Sequence, residues 1–280
     1  MDSLVSTEWL ASELGAPDLK VVDATWFLPS AGRDARAEYE AAHIPGAVFF
    51  DIDDISDADH PAPHMLPGDA KFASRMQSLG LGDGNRFVVY DNSPLHTASR
   101  AWWMLKAFGA HYVAILDGGL AKWMVEGRVV EAGRAQVRHG HFTPSLDSRR
   151  VADKAFVSGI VHSAGHEIVD ARGPARFAGE EAEPRPGLEP GHIPGSRNLP
   201  YASLFEADGT WKRGDALRAA FDAAGVDLDK PMVATCGSGI TACSVAFGAH
   251  LLGKDDVAVY DGSWSEWGAD PATPKATGPA

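Results

Sequence analysis

The chain repeats itself. Val21-Val22-Asp23-Ala24 returns as Ile168-Val169-Asp170-Ala171, and Ala42-His43-Ile44-Pro45-Gly46-Ala47 returns as Gly191-His192-Ile193-Pro194-Gly195-Ser196. Phe87-Val88-Val89-Tyr90-Asp91 matches Met232-Val233-Ala234-Thr235-Cys236, and Leu116-Asp117-Gly118-Gly119-Leu120-Ala121-Lys122-Trp123 matches Tyr260-Asp261-Gly262-Ser263-Trp264-Ser265-Glu266-Trp267. The four matches keep their order and a nearly constant spacing. A duplicated domain of about 130–145 residues follows, an ordinary domain size. Whatever fold one copy adopts, the other must share.

Within each copy short β-branched runs alternate with amphipathic stretches, as in Phe87–Tyr90, Thr97–Phe108 and His111–Leu116. That alternation predicts an α/β domain with a mainly parallel sheet covered by helices on both faces. The expected division is a first domain over 1–135, a linker over 136–153 and a second domain over 154–280. The stretch from about Gly133 to Asp153, with Arg138-His139-Gly140-His141 and Arg149-Arg150, has no strong periodicity and is read as linker with solvated charges.

The copies differ at one position that matters for chemistry. The apolar run Pro231–Thr235 ends at Cys236, which opens Cys236-Gly237-Ser238-Gly239-Ile240-Thr241-Ala242 and a helix-like stretch. A strand, a glycine-bearing loop and a helix start can aim several backbone N–H groups and the positive helix end at one thiolate, the reactive form of cysteine. Free cysteines are usually just buried, and Cys243, on the predicted helix, fits that reading. Cys236 does not, because Gly237 and Gly239 suit a loop close to a ligand rather than a packed helix. In the first copy Asp91 takes this place, so one nucleophile per chain is expected.

A formal net charge of −13 argues against nucleic acid as a general partner and requires a locally basic site for any anionic substrate. The two cysteines are spaced neither as zinc ligands nor as a dithiol motif, so no metal is expected and a reducing compartment is implied. The N-terminal Met1-Asp2-Ser3-Leu4-Val5-Ser6-Thr7-Glu8 lacks the positive charge and apolar run of a signal peptide, and a cytoplasmic protein is expected. Met232 to Gly253 carries no Asp, Glu, Lys or Arg, but its glycine, serine and threonine content favours a buried strand and core helix over a membrane span.

The paired His-Ile-Pro-Gly motifs, the Cys236 loop and the Asp-Gly ending of each half resemble the tandem-domain sulfurtransferases of the rhodanese superfamily over essentially the whole chain. The loop is similar to the Cys-Gly-Ser-Gly-Val-Thr-Ala signature of the family's 3-mercaptopyruvate sulfurtransferases, whereas its thiosulfate enzymes carry basic residues after the cysteine. The physics agrees: thiosulfate is a compact dianion that profits from cations at the loop, and this loop has none. The resemblance implies that Arg176 and Arg185 bind the donor's carboxylate and keto oxygen, for which an arginine fork is suited. On residues alone these two compete with surface arginines balancing Glu180, Glu181 and Glu183. The resemblance further implies that Asp53 and His64 partner Ser238, while His43 and His192 are read as structural.

The implied reaction moves sulfur from 3-mercaptopyruvate through a Cys236 persulfide, held by the N–H groups of Gly237, Ser238, Gly239, Ile240, Thr241 and Ala242, to a thiol, thioredoxin or cyanide. Pyruvate is released, no metal or organic cofactor is called for, and a monomer is expected. Thiosulfate as the donor is the alternative. A cysteine phosphatase would need an arginine where Ala242 stands. A sulfur-carrying or regulatory module without activity suits the copy with Asp91 but not the copy with Cys236.

Overall fold

In a computed structural model, which describes every residue except His162, Ala164 and Ala280, the chain divides by its internal contacts into two compact units. The first comprises Met1–Ser56, Leu66–Leu146 and Ala207–Trp211, and the second Asp57–Met65, Asp147–Glu206 and Lys212–Ala280. Each unit thus includes a short segment from the other half of the sequence.

The first sheet holds β1 (Leu4–Val5), β2 (Leu19–Asp23), β3 (Val48–Phe49), β4 (Arg86–Tyr90) and β5 (Tyr112–Leu116), in the order β1-β5-β4-β2-β3. The second repeats it with β6 (Val151–Ala152), β7 (Glu167–Asp170), β8 (Arg197–Asn198), β9 (Met232–Thr235) and β10 (Val257–Tyr260), in the order β6-β10-β9-β7-β8. All pairings are parallel, so every strand returns through a crossover. The registers also correspond: Asp23 stands opposite Tyr90 and Asp170 opposite Thr235. The central strands are wholly apolar apart from Thr235 and Arg86, as strands buried on both faces must be.

This strand order places the reversal of strand succession between β7 and β9, and between β2 and β4. Open parallel sheets bind ligands at such a switch point, beyond the carboxyl ends of the strands. Cys236 and Asp91 are the residues that follow β9 and β4.

The His-Ile-Pro-Gly motifs are structural in both units. His43 and His192 are buried, their Nδ1 atoms lie 2.8 Å from the carbonyls of Tyr39 and Phe177, and each forms a backbone bridge, to Glu131 and Ala276 respectively. His192 stacks flat on Phe177 at 3.7 Å, and burial lowers its pKa. Within the stretch 136–153, Phe142 is buried against Phe72, Thr143 binds Asp83 and Ser145 N–H donates to Phe108, while Arg149 extends into solvent. Cys243 lies fully buried in the helix Ala242–Leu251, with its Sγ 3.1 Å from the Gly239 carbonyl. Among the described residues no helix is long and apolar enough to cross a membrane.

Candidate active site

The Cys236 loop is fastened by the segment after β10. Trp264 N–H donates to the Cys236 carbonyl at 3.0 Å, and Ser265 donates to the Gly237 carbonyl through both its N–H, at 2.9 Å, and its hydroxyl, at 2.6 Å. Cys236 N–H donates in turn to Ser263 Oγ, whose hydroxyl donates to the Tyr260 carbonyl. Ser263 sits at φ +49°, a left-handed conformation that costs a non-glycine residue on the order of 1 kcal/mol. Its two hydrogen bonds offset that. Gly239, at φ +76°, turns the loop toward the helix Ala242–Leu251. Cys236 is itself 2% exposed.

Two polar clusters border the loop within the second unit. Ser238 Oγ lies 2.9 Å from Nδ1 of His64, and both residues are buried. His64 comes from the segment Asp57–Met65, closed by an Asp57 N–H bond to the Met65 carbonyl, and its own φ is +63°. On another side stands Arg176, from the helix Pro174–Ala178: a Cβ added to Gly237 would lie 3.0 Å from its Nη2. A side chain at 237 would therefore displace the guanidinium. Glycine at this position gives the loop its close approach to a cation.

Arg176 is not isolated. It pairs with Glu183, whose other oxygen accepts from Arg172 Nη1 at 2.6 Å. Arg172 is bound to Asp170 at 2.6 Å, to the Gly191 carbonyl at 2.8 Å, and lies over the Trp264 ring at 4.5 Å. The side chains of Arg172 and Asp170 are 1% exposed and that of Glu183 3%. Burial alone would lower the Arg172 pKa, but Asp170 and Glu183 outweigh it and hold the guanidinium above its ordinary value. The sequence offered Glu183 only as a surface counter-charge. It is instead the buried link between two arginines.

Of the other expected residues, Arg185 is half-buried in the same segment as Glu183. Asp53 belongs to the first unit, in the short helix Ile52–Ile55, where its carboxylate accepts from the Trp26 indole at 2.9 Å. Arg172, Glu183, Ser263 and Ser265 are contributors the sequence did not single out. The repeated Asp-Gly stretch was the available signal for the last two.

The corresponding loop of the first unit is filled by its own side chain. Asp91 accepts from the N–H groups of Ser93 and Ala98, both at 2.8 Å, at the start of the helix Ala98–Ala107. Its carbonyl accepts from Leu120, and a Cβ on Gly119 would lie 2.3 Å from that oxygen. The carboxylate thus takes the N–H groups that a loop of this kind offers an anion. Burial pushes its pKa up to about 7 against those two hydrogen bonds. A raised carboxyl pKa means that the folded state prefers the protonated form, so this contribution is full below the unfolded pKa of about 4 and is lost as pH rises toward 7. Asp91→Asn is expected to flatten the fall in stability between about pH 4 and 7, by up to about 1.4 kcal/mol per pH unit. Denaturant midpoints of both proteins across that window provide the check, and parallel profiles would refute it.

Comparison with known proteins gives a consistent result. The model of the rhodanese-like domain matches residues 6–126 and again 154–270. A human 3-mercaptopyruvate sulfurtransferase is 46% identical over 271 residues, covering 95% of this chain and 91% of the relative. A thiosulfate sulfurtransferase of Cricetulus griseus is 42% identical over 272 residues, with the same coverage of both chains. The crystal structure of SseA from Escherichia coli, described among 3-mercaptopyruvate sulfotransferases, superposes with a TM-score of 0.87 at 40% identity, over 95% of this chain and all of that one.

Proposed function

The chain belongs to the rhodanese family and is a sulfurtransferase, and we propose from that premise that it takes sulfur from 3-mercaptopyruvate through a persulfide on Cys236. Overall identity does not choose the donor, since relatives named for either one match at similar levels. The observation that carries the choice is the position of Arg176. Arg176 stands beside the loop at Gly237, while the loop itself, Cys236 to Ala242, holds no Lys or Arg. Such an arrangement suits a donor whose carboxylate lies away from its sulfur.

In the first half-reaction the Cys236 thiolate attacks the substrate sulfur. The carbon–sulfur bond breaks, its electron pair passes to carbon, and the resulting enolate of pyruvate is protonated. Covalent catalysis thereby divides the transfer into two easier steps. Arg176, with Arg185, binds the carboxylate and keto oxygen and stabilises the enolate charge. The hydrogen-bonded pair Ser238 and His64 moves the proton between the substrate thiol and the product carbon. N–H groups of Gly237 to Ala242 hold the persulfide until a small thiol, reduced thioredoxin or cyanide removes its outer sulfur. This acidic chain with two cysteines suits a reducing cytoplasm, and a monomer suffices as the working unit.

Intact-protein mass after brief exposure to each donor tests the reading. A one-sulfur gain with release of pyruvate is expected from 3-mercaptopyruvate, at a rate at least about tenfold above that from thiosulfate, because the loop offers the dianion no cation. Faster loading from thiosulfate would make the chain a thiosulfate sulfurtransferase instead.

A further inference from the structure

Resting on that reading, we propose that the buried Arg172–Glu183 pair aims Arg176 at the substrate, making Glu183 a positioning residue for donor binding. Arg176 is 22% exposed and comes from a helix of five residues, so its own element does little to fix it. A long flexible side chain loses much rotamer freedom when it must hold one position for a ligand. Glu183 removes that freedom in advance. One carboxylate oxygen faces Arg176 Nη2, and the other accepts both from Arg176 Nε, at 3.3 Å, and from Arg172, itself fixed by Asp170, the Gly191 carbonyl and the Trp264 ring.

The chain of contacts ends at the loop: Trp264 under Arg172 is the residue whose N–H binds the Cys236 carbonyl. The same buried core therefore fixes both the nucleophile's backbone and the arginine beside it. The cluster of two carboxylates and two guanidiniums balances in formal charge. Geometry, more than net charge, makes Arg176 a carboxylate receptor.

The test separates donor binding from the chemistry that follows. Loading of Cys236 is followed in a rapid-mixing experiment over a range of 3-mercaptopyruvate concentrations, for wild type, Glu183→Gln and Glu183→Asp. The aspartate keeps the charge that Arg172 needs for folding but is one methylene too short to hold both arginines. In both variants the half-saturating concentration is expected to rise about tenfold while the limiting rate changes by less than about threefold, the pattern of lost preorganisation. Discharge of the preloaded persulfide by cyanide, which needs no carboxylate receptor, is expected to stay within about twofold of wild type, as uniform damage to the site would not allow. Unchanged half-saturation in Glu183→Asp, or equal losses in loading and discharge, overturns the inference while the functional reading stands. A wild type that fails to load from 3-mercaptopyruvate brings down both.

Discussion

Cys236→Ser protein given 3-mercaptopyruvate gains no sulfur mass and releases pyruvate at least about 10³-fold more slowly than wild type, the scale of loss when a covalent nucleophile is removed. A serine hydroxyl at this place is not ionised near neutral pH, and no persulfide can form on oxygen. The fold should not notice. The bonds that fasten the loop run through the backbone N–H and carbonyl of residue 236, to Ser263 and Trp264, and serine keeps both. Unchanged denaturant transitions with abolished loading are thus the expected pair of results. Sulfur gained by the variant would transfer the chemistry to Cys243, which is fully buried with its sulfur against the Gly239 carbonyl, and would sink the assignment.

What could be read from the sequence was set by contacts close in the chain. The duplication, the parallel sheets and the strand–loop–helix turn at Cys236 depend on local periodicity and on glycines, and all stand in the structure. Asp91 was likewise legible as the position where the first copy lacks a nucleophile. Its filling of its own N–H groups was not, because that depends on how Ser93 and Ala98 turn toward it. The arginines show the limit more sharply. Arg176 could be read as a substrate ligand or as a counter-charge to glutamate, and the structure makes it a partner of Glu183 while keeping it against Gly237. Arg172 drew no notice, since only the Asp-Ala that precedes it is repeated. Thr25 occupies the same place in the first copy, where the Thr25 N–H binds Asp23 and burial raises the Asp23 pKa. Two copies of one strand end therefore solve the problem of a buried aspartate differently, and only the copy with the thiol uses a guanidinium.

That divergence makes Arg172→Met the variant expected to damage folding most, with a loss of about 3–5 kcal/mol, as found when one partner of a buried ion pair is removed. Methionine replaces much of the volume, so the loss is electrostatic rather than a cavity effect. Asp170 then keeps the N–H of residue 172 at its Oδ1, and Glu183 keeps Arg176. Chemical denaturation followed by tryptophan fluorescence, with the two units fitted as separate transitions, is the measurement. Adding Asp170→Asn to Arg172→Met should recover part of the loss, because the second change removes the charge that the first left uncompensated. A variant within about 1 kcal/mol of wild type, or a double variant whose losses simply add, would mean that the four charged side chains do not act as one network. The recovery would also separate two roles of one side chain: a double variant that folds but saturates with 3-mercaptopyruvate only at raised concentration would show that Arg172 serves the fold through Asp170 and the substrate through Glu183.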